Sequence, residues 1–322
     1  MEDVNKINEL FQTQLKDRLK GLEKLRISVI LFTMLLVLAI VVFIVVGYLL
    51  SEVNNTVLYI WIGIFVLSIG LFGNLISKRK KAYYHQYKAT VVAEIIRLID
   101  PTWVYHYDQC IGRTDYHQSE LFRQECDRYM GDDFVYGNID KTDFQFSELH
   151  TQYKTYSTDS QGRRHEQWVT IFKGIFMHAD FNKFIGGKTF VQPDKAERLF
   201  GKLGQMFQKI SSKGELIKLE NPEFEKMFVV HGSDQIESRY ILTPTMMEAM
   251  VAIQKKYSRP ISYSFIGSRV YLAMSFTKDL FEPRIMSSGV KITDIQEMYD
   301  LFKIIEVIIK EMNLNTRIWT KE

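Results

Sequence analysis

The chain has 322 residues, 46% hydrophobic and 25% charged, with a formal net charge of +3, which is long enough for a membrane segment plus a domain with its own core. Its 41 basic residues are nearly matched by 38 acidic ones, excluding the strongly cationic surface of a broad nucleic-acid footprint. Two cysteines, Cys110 and Cys126, exclude a disulfide framework and fit a reducing compartment.

The first 26 residues set Ile7, Leu10, Phe11, Leu15, Leu19, Leu22 and Leu25 at spacings of three and four between charged positions. That spacing predicts an amphipathic juxtamembrane helix over 1–26, suited to a membrane surface or to another helix. Two charge-free apolar runs follow, Ile27 to Leu50 and Val57 to Ile76, each reaching the roughly 20 residues needed to cross a hydrocarbon core. They predict transmembrane helices over 27–50 and 57–77. A long charged segment precedes the first run and no small-residue cleavage pattern follows it, so it reads as an uncleaved anchor rather than a signal peptide. Gly63, Gly70 and Ser77 recur at heptad spacing, allowing close approach of the first span or of a second copy, so homo-oligomerisation through the spans is one expectation.

Lys24 and Arg26 stand before the first run and Lys78, Arg79, Lys80 and Lys81 after the second, whereas the connecting Ser51 to Thr56 contains no basic residue. Positive charge is retained on the cytoplasmic side, so both termini are expected there, with the lipid bilayer as a partner for the basic flanks. Ten basic and six acidic residues lie before Ala82, leaving 31 basic and 32 acidic residues beyond it. The region after the spans is therefore close to neutral.

A basic stop and helical connector over 78–130 carries Tyr83, Tyr87, Val91, Ile95 and Leu98 or Ile99 at helical period until Asp100-Pro101 breaks it. From 131 to 322 the pattern predicts an α+β domain of mostly antiparallel strands with inserted helices, either one body or two lobes with a break near 186–194. Strands are expected at Phe134 to Ile139, Asp143 to Phe146, Thr151 to Tyr156 and Gln167 to Phe181, with a hairpin tip at Asp159 to Gly162 and a turn at Gly186-Gly187. A helix should run from Pro193-Asp194 to about Ile210. A strand at Leu216 to Leu219 and a helical turn at Asn221-Pro222-Glu223 follow, then strands at Phe228 to His231 and Gln235 to Leu242. Thr243-Pro244 caps a helix to about Tyr257, a hairpin turns at Gly267-Ser268, and a closing helix spans about Ile292 to Met312.

Catalytic signatures are missing: there is no phosphate loop, dinucleotide fingerprint, nucleophile elbow or zinc helix. His106, Cys110, His117 and Cys126 match no common zinc spacing, and the reading assigns no metal ligand, no cofactor and no catalytic residue. Asp132-Asp133 after Gly131 reads as a turn, and on a strand the two adjacent carboxylates would point to opposite faces rather than to one site. Read as a strand, residues 235–242 would line Gln235, Glu237 and Arg239 along one face. With Asp234, and with Glu282 in Phe281-Glu282-Pro283, these are the binding candidates.

Several segments together resemble the bacterial domain-of-unknown-function family 3137. They are Ile171 to Phe176, Ala179 to Lys183, Asn221 to Lys226, Ser233 to Pro244, Phe281 to Pro283 and the closing Asn313 to Trp319. The resemblance implies two spans and a cytoplasmic domain at the inner membrane, and it assigns no activity. The expected function is a membrane-anchored cytoplasmic binding module, a sensor, adaptor or scaffold for a protein partner or small ligand, with no identifiable catalytic motif. The alternatives are a membrane-bound enzyme acting on lipid or cell-envelope precursors through Asp234 and Glu237, and a ligand-gated two-span effector.

Overall fold

The computed structural model describes residues 7–51, 55–194, 214–286 and 291–311. Its chain divides into two compact units, one of Met1–Leu98 with Phe281–Tyr299 and the other of Ile99–Leu280 with Asp300–Glu322.

The first unit contains two long helices. After a π-helical turn at Phe11–Leu15, α1 runs without interruption over Lys16–Ser51, and α2 over Asn55–Tyr87. A π-turn at Lys88–Val92 continues α2 into α3, Ala93–Ile99. At 1.5 Å per residue, the 36 residues of α1 extend about 54 Å, more than a hydrocarbon core about 30 Å thick. Both helices are long and apolar enough to span a membrane, and almost none of their apolar stretch is buried. Met34, Leu38, Ile44, Ile60, Val66 and Leu71 are among the large apolar side chains left exposed.

Aromatic packing joins the spans: Phe43 stacks on Trp61 at 4.3 Å between centroids and lies 4.5 Å from Phe65, while Trp61 Nε1 donates to Phe43 O at 3.3 Å. The expected small-residue seam is not what joins them. A Cβ added at Gly63 or Gly70 would meet nothing within 4 Å, whereas at Gly47 it would meet the Trp61 ring at 3.7 Å. Below the spans the amphipathic face of the N-terminal segment buries Ile7, Leu10, Leu15 and Leu22. Its partner is a helix of its own chain, since Arg18 pairs with Glu94 at 2.8 Å and Gly21 approaches Gln86.

The second unit is an antiparallel sheet with inserted helices. Its elements are β1 Val104–His106, α4 Arg113–Gln118, β2 Arg128–Ile139, β3 Thr142–Thr158, β4 Arg164–Pro193, β5 Glu215–Ile217, α5 Pro222–Glu225, β6 Phe228–Gly232, α6 Gln235–Ile241, α7 Pro244–Tyr257 and β7 Ile261–Ser275. Helix α8, Ile292–Glu311, closes the described chain. The strand order is β1-β2-β3-β4-β6-β5, and β7 also pairs with β4. The 30-residue β4 organises the sheet, pairing with β3 over Arg164–Ala179, with β7 over Gly174–Val191 and with β6 over Thr189–Pro193. Tyr116, Leu121, Phe122, Leu149, Phe172 and Phe176 form a core against one part of the sheet. Phe224, Phe228 and Tyr263 form a second aromatic row, with centroids 5.0 and 6.3 Å apart.

Three local expectations are corrected. Gln235 to Leu242 is helix α6, not a strand, because the Asp234 carboxylate caps it by accepting from Ile236 N and Glu237 N at 2.8 and 2.9 Å. An Asp three residues before a Glu is a helix-start signal, and it outweighed an apparent period of two. Gly267-Ser268 is not a hairpin tip. β7 runs through it, with Gly267 at φ +63° opposite the irregular stretch of β4 between Asp180 and Lys188, because the long β4 offers one continuous edge. Gly186-Gly187 lies inside β4 at that irregularity rather than in a turn between strands. The helix expected from Asp194 to Ile210 and the Asn313 to Trp319 motif lie outside the described residues.

Candidate functional site

Of the five binding candidates, four lie on or beside α6, and three of those four hold another part of the same unit. Asp234 is the helix N-cap. Glu237 accepts from Gly186 N and Gly187 N at 2.8 and 2.6 Å, satisfying two backbone donors freed where the β4 ladder shifts register. Beside it Ser233 Oγ accepts from Lys188 N at 2.8 Å, and Lys188 Nζ pairs with Glu120 at 2.6 Å. Gln235 donates to Glu215 at 2.8 Å, and Arg239 reaches the Lys218 carbonyl at 3.4 Å. Both carboxylates proposed for catalysis are thus engaged by main-chain N–H groups. The polar row expected on a sheet face is replaced by a short helix whose outward side carries Ile236 and Tyr240, 83% and 46% exposed. Leu216, on the edge strand β5 to which Gln235 reaches, is 55% exposed.

The fifth candidate, Glu282, belongs to the first unit. Its carboxylate pairs at 3.0 Å with Lys88, a buried lysine at the start of the π-turn. Glu282 is therefore an ion-pair partner within the helical unit. The membrane-flanking cations divide similarly. Lys24, Lys78, Lys80 and Lys81 are exposed. Arg79, by contrast, donates to Ser28 Oγ at 2.6 Å and lies 4.3 Å over the Phe32 ring, and Arg26 is almost fully buried beside Glu23.

The site that sequence reasoning missed is carboxylic. Asp132, Asp133 and Glu148 bring oxygens within 4.8 Å of one another, the one such group of three acidic, Cys or His residues among the described residues. Register places Asp132 opposite Glu148, and a bulge between Asp132 and Val135 sets Asp133 at φ +55°. Two consecutive residues thereby reach the same carboxylate, which a regular strand forbids. Gly131 makes room, since a Cβ there would lie 2.6 Å from the Glu148 carbonyl oxygen and 2.8 Å from Cys110 Cβ. Tyr105 OH donates to Asp133 at 2.5 Å and Leu280 N to Glu148 at 3.0 Å. Burial pushes the Glu148 carboxyl up to about 8, with Asp133, Asp132 and Asp279 adding repulsion and the Leu280 N–H opposing it. At neutral pH this acid holds a proton. Oxygen donors at this spacing are also the ligand type taken by hard divalent cations. The expected turn at Asp132-Asp133 is corrected: both residues lie within β2 at its bulge, and their partner Glu148 is set only by the β2–β3 register.

The histidines differ in setting. His178 is fully buried and accepts from Arg269 at 2.8 Å, and desolvation followed by the Arg269 charge pulls its pKa down to about 3. It stays neutral and cannot take a proton near neutral pH. His165 meets Asp159 at 2.9 Å at the hairpin tip. His106 packs against both Phe134 and Tyr136, Cys126 lies in the aromatic core, and Cys110 sits beside the carboxylates.

No curated protein and no solved structure matches the chain. A family model does match, and it covers the segments from β4 to α8 on which the resemblance was read. Over residues 170–314 the chain carries the pattern of the family described as Protein of unknown function (DUF3137).

Proposed function

We propose that the protein is a two-span membrane anchor carrying a binding module on the cytoplasmic side. The exposed apolar surface of α1 and α2 carries this reading. In water that surface would be penalised at roughly 25 cal/mol per Å², and in a bilayer it is solvated. Basic residues at both outer ends and none in the connecting loop favour cytoplasmic termini at the inner membrane. The second unit supports a binding role through the exposed apolar side chains of Ile236, Tyr240 and Leu216, which α6 and β5 carry along with Gln235 and Arg239. Aromatic and aliphatic side chains exposed beside an arginine are the composition of a protein contact surface. The alternative of an enzyme using Asp234 and Glu237 loses support from their engagement with main-chain N–H groups.

Two measurements test this. Reporter fusions after residue 26, within residues 52–55 and at the C-terminus should report cytoplasm, exterior and cytoplasm. A cytoplasmic loop or an exterior C-terminus overturns the topology. Crosslinking and affinity purification from membranes should recover a partner that Ile236→Asp loses and Glu248→Ala keeps. Recovery unchanged by Ile236→Asp overturns the binding surface.

A further inference from the structure

The segment that leaves the second unit at Phe281 and belongs to the helical unit is fastened at both ends. Phe281 is fully buried, Glu282 pairs with Lys88 at 3.0 Å, and the Ile285 carbonyl accepts from Arg26 Nη1 at 3.0 Å. Arg26 is held in turn by Glu23 at 2.5 and 2.9 Å. It is the last charged residue before the first apolar run. The next side chain, Met286, is 85% exposed, more than any other large apolar side chain described. With Ile30, Met34, Leu38 and Val41 of α1 it lines a groove of about 480 Å³. Those residues lie four to fifteen positions into the span, and Met34 and Leu38 are themselves exposed. The groove is thus continuous with the outer surface of the span.

We infer that the segment Phe281–Met286 carries a membrane-inserted tip, a wedge: Met286 enters the hydrocarbon of the cytoplasmic leaflet against α1, and the groove holds a phospholipid acyl chain. This rests on the membrane reading above. The occupant follows from position, because a groove on the outer face of a spanning helix is filled by what surrounds that helix. The backbone chemistry agrees. Irregular backbone at the hydrocarbon edge needs its polar groups satisfied, and the Ile285 carbonyl, nearest the tip, has Arg26 as its donor. Methionine suits the tip, being unbranched and adaptable among acyl chains. The wedge would tie the start of α8, through the chain that follows it, to the membrane surface.

The test uses the full chain in phosphatidylethanolamine and phosphatidylglycerol vesicles containing a lipid with a nitroxide near the headgroup end of its acyl chain. Cys110 and Cys126 are replaced by alanine, and a fluorophore is attached in turn to Met286→Cys, Met34→Cys and Gln161→Cys variants. The inference expects quenching at position 286 equal to that at 34, with none at 161. Quenching at 34 but not at 286, with 286 as reactive as 161 toward a membrane-impermeant thiol reagent, overturns the wedge and leaves the anchor standing. Absence of quenching at 34 overturns both. If the cysteine-free protein fails to fold, p-benzoylphenylalanine at positions 34 and 286 of the otherwise native chain gives the same decision. Photocrosslinking to phospholipid at both positions supports the wedge, and at 34 alone it overturns it.

Discussion

The Glu237 carboxylate accepts the Gly187 N–H at 2.6 Å, and its other oxygen takes Gly186 N at 2.8 Å. One side chain of α6 thus completes hydrogen bonding that β4 leaves open. Hydrogen bonds to a charged group contribute about 1.5–3 kcal/mol. Glu237 is partly exposed, so water replaces some of that, and Glu237→Ala should destabilise the sheet unit by an amount at or below the lower end of that range, about 1.5 kcal/mol, in urea unfolding. Glu237→Gln, which keeps one acceptor oxygen, should lose less. Gly187→Ala should resemble Glu237→Ala, since its Cβ would fall 2.5 Å from Glu237 Oε2 and 2.7 Å from Ser233 Oγ. Equal midpoints for all four proteins would remove this contact from any account of stability.

Glu148 gives the fold a pH dependence. Its folded pKa of about 8 lies above its usual value of 4.5, so the native state binds the extra proton. The associated stability is fully present below the unfolded value and is lost as pH rises through about 8. Wild-type stability should therefore fall by about 2–3 kcal/mol between pH 6 and pH 8 from this group alone. Glu148→Gln mimics the protonated acid and should flatten the profile, making the variant the more stable protein at pH 9. Parallel profiles of urea midpoint against pH would overturn the assignment.

How much of this was legible in the sequence depends on whether the signal was local. The two long apolar helices, the caps at Asn221 and Thr243 and the β3–β4 tip at Asp159 are written in contiguous residues, and the structure shows them where composition and turn chemistry put them. Helix α6 was misread although its cap was visible, because a seven-residue helix shows too few turns for its period to dominate. The carboxylate cluster was illegible for another reason. It needs a bulge at Asp133 and a register pairing positions 132 and 148, and neither is fixed by neighbours along the chain.

The hairpin should depend on aromatic contacts and not on glycine. Trp61→Ala removes the stack on Phe43 and the bond to its carbonyl, together about 1–2 kcal/mol. Gly63→Leu and Gly70→Leu enter open space and should leave the hairpin unchanged. Energy transfer between labels at positions 16 and 85, at the same end of the hairpin, would report helix separation during an SDS titration. Loss of transfer at lower SDS in the glycine variants than in Trp61→Ala would reverse the assignment.

The Lys88–Glu282 pair makes the sharpest prediction for the helical unit. Lys88 is 3% exposed and begins the π-turn, a local distortion that a straight α-helix would not adopt without a cause. Removing one member of a buried pair leaves the other charge uncompensated and destabilises by about 3–5 kcal/mol. Glu282 is partly open to solvent, its side chain 29% exposed, so Glu282→Ala should fall at or below the lower end of that range. Replacing both at once, Lys88→Met with Glu282→Leu, should recover much of the loss, since neither charge remains to be buried. Full additivity of the two single variants in a double-mutant cycle would show that the two charges do not act on each other. The π-turn would then need another explanation, in the packing of Val91 and Val92.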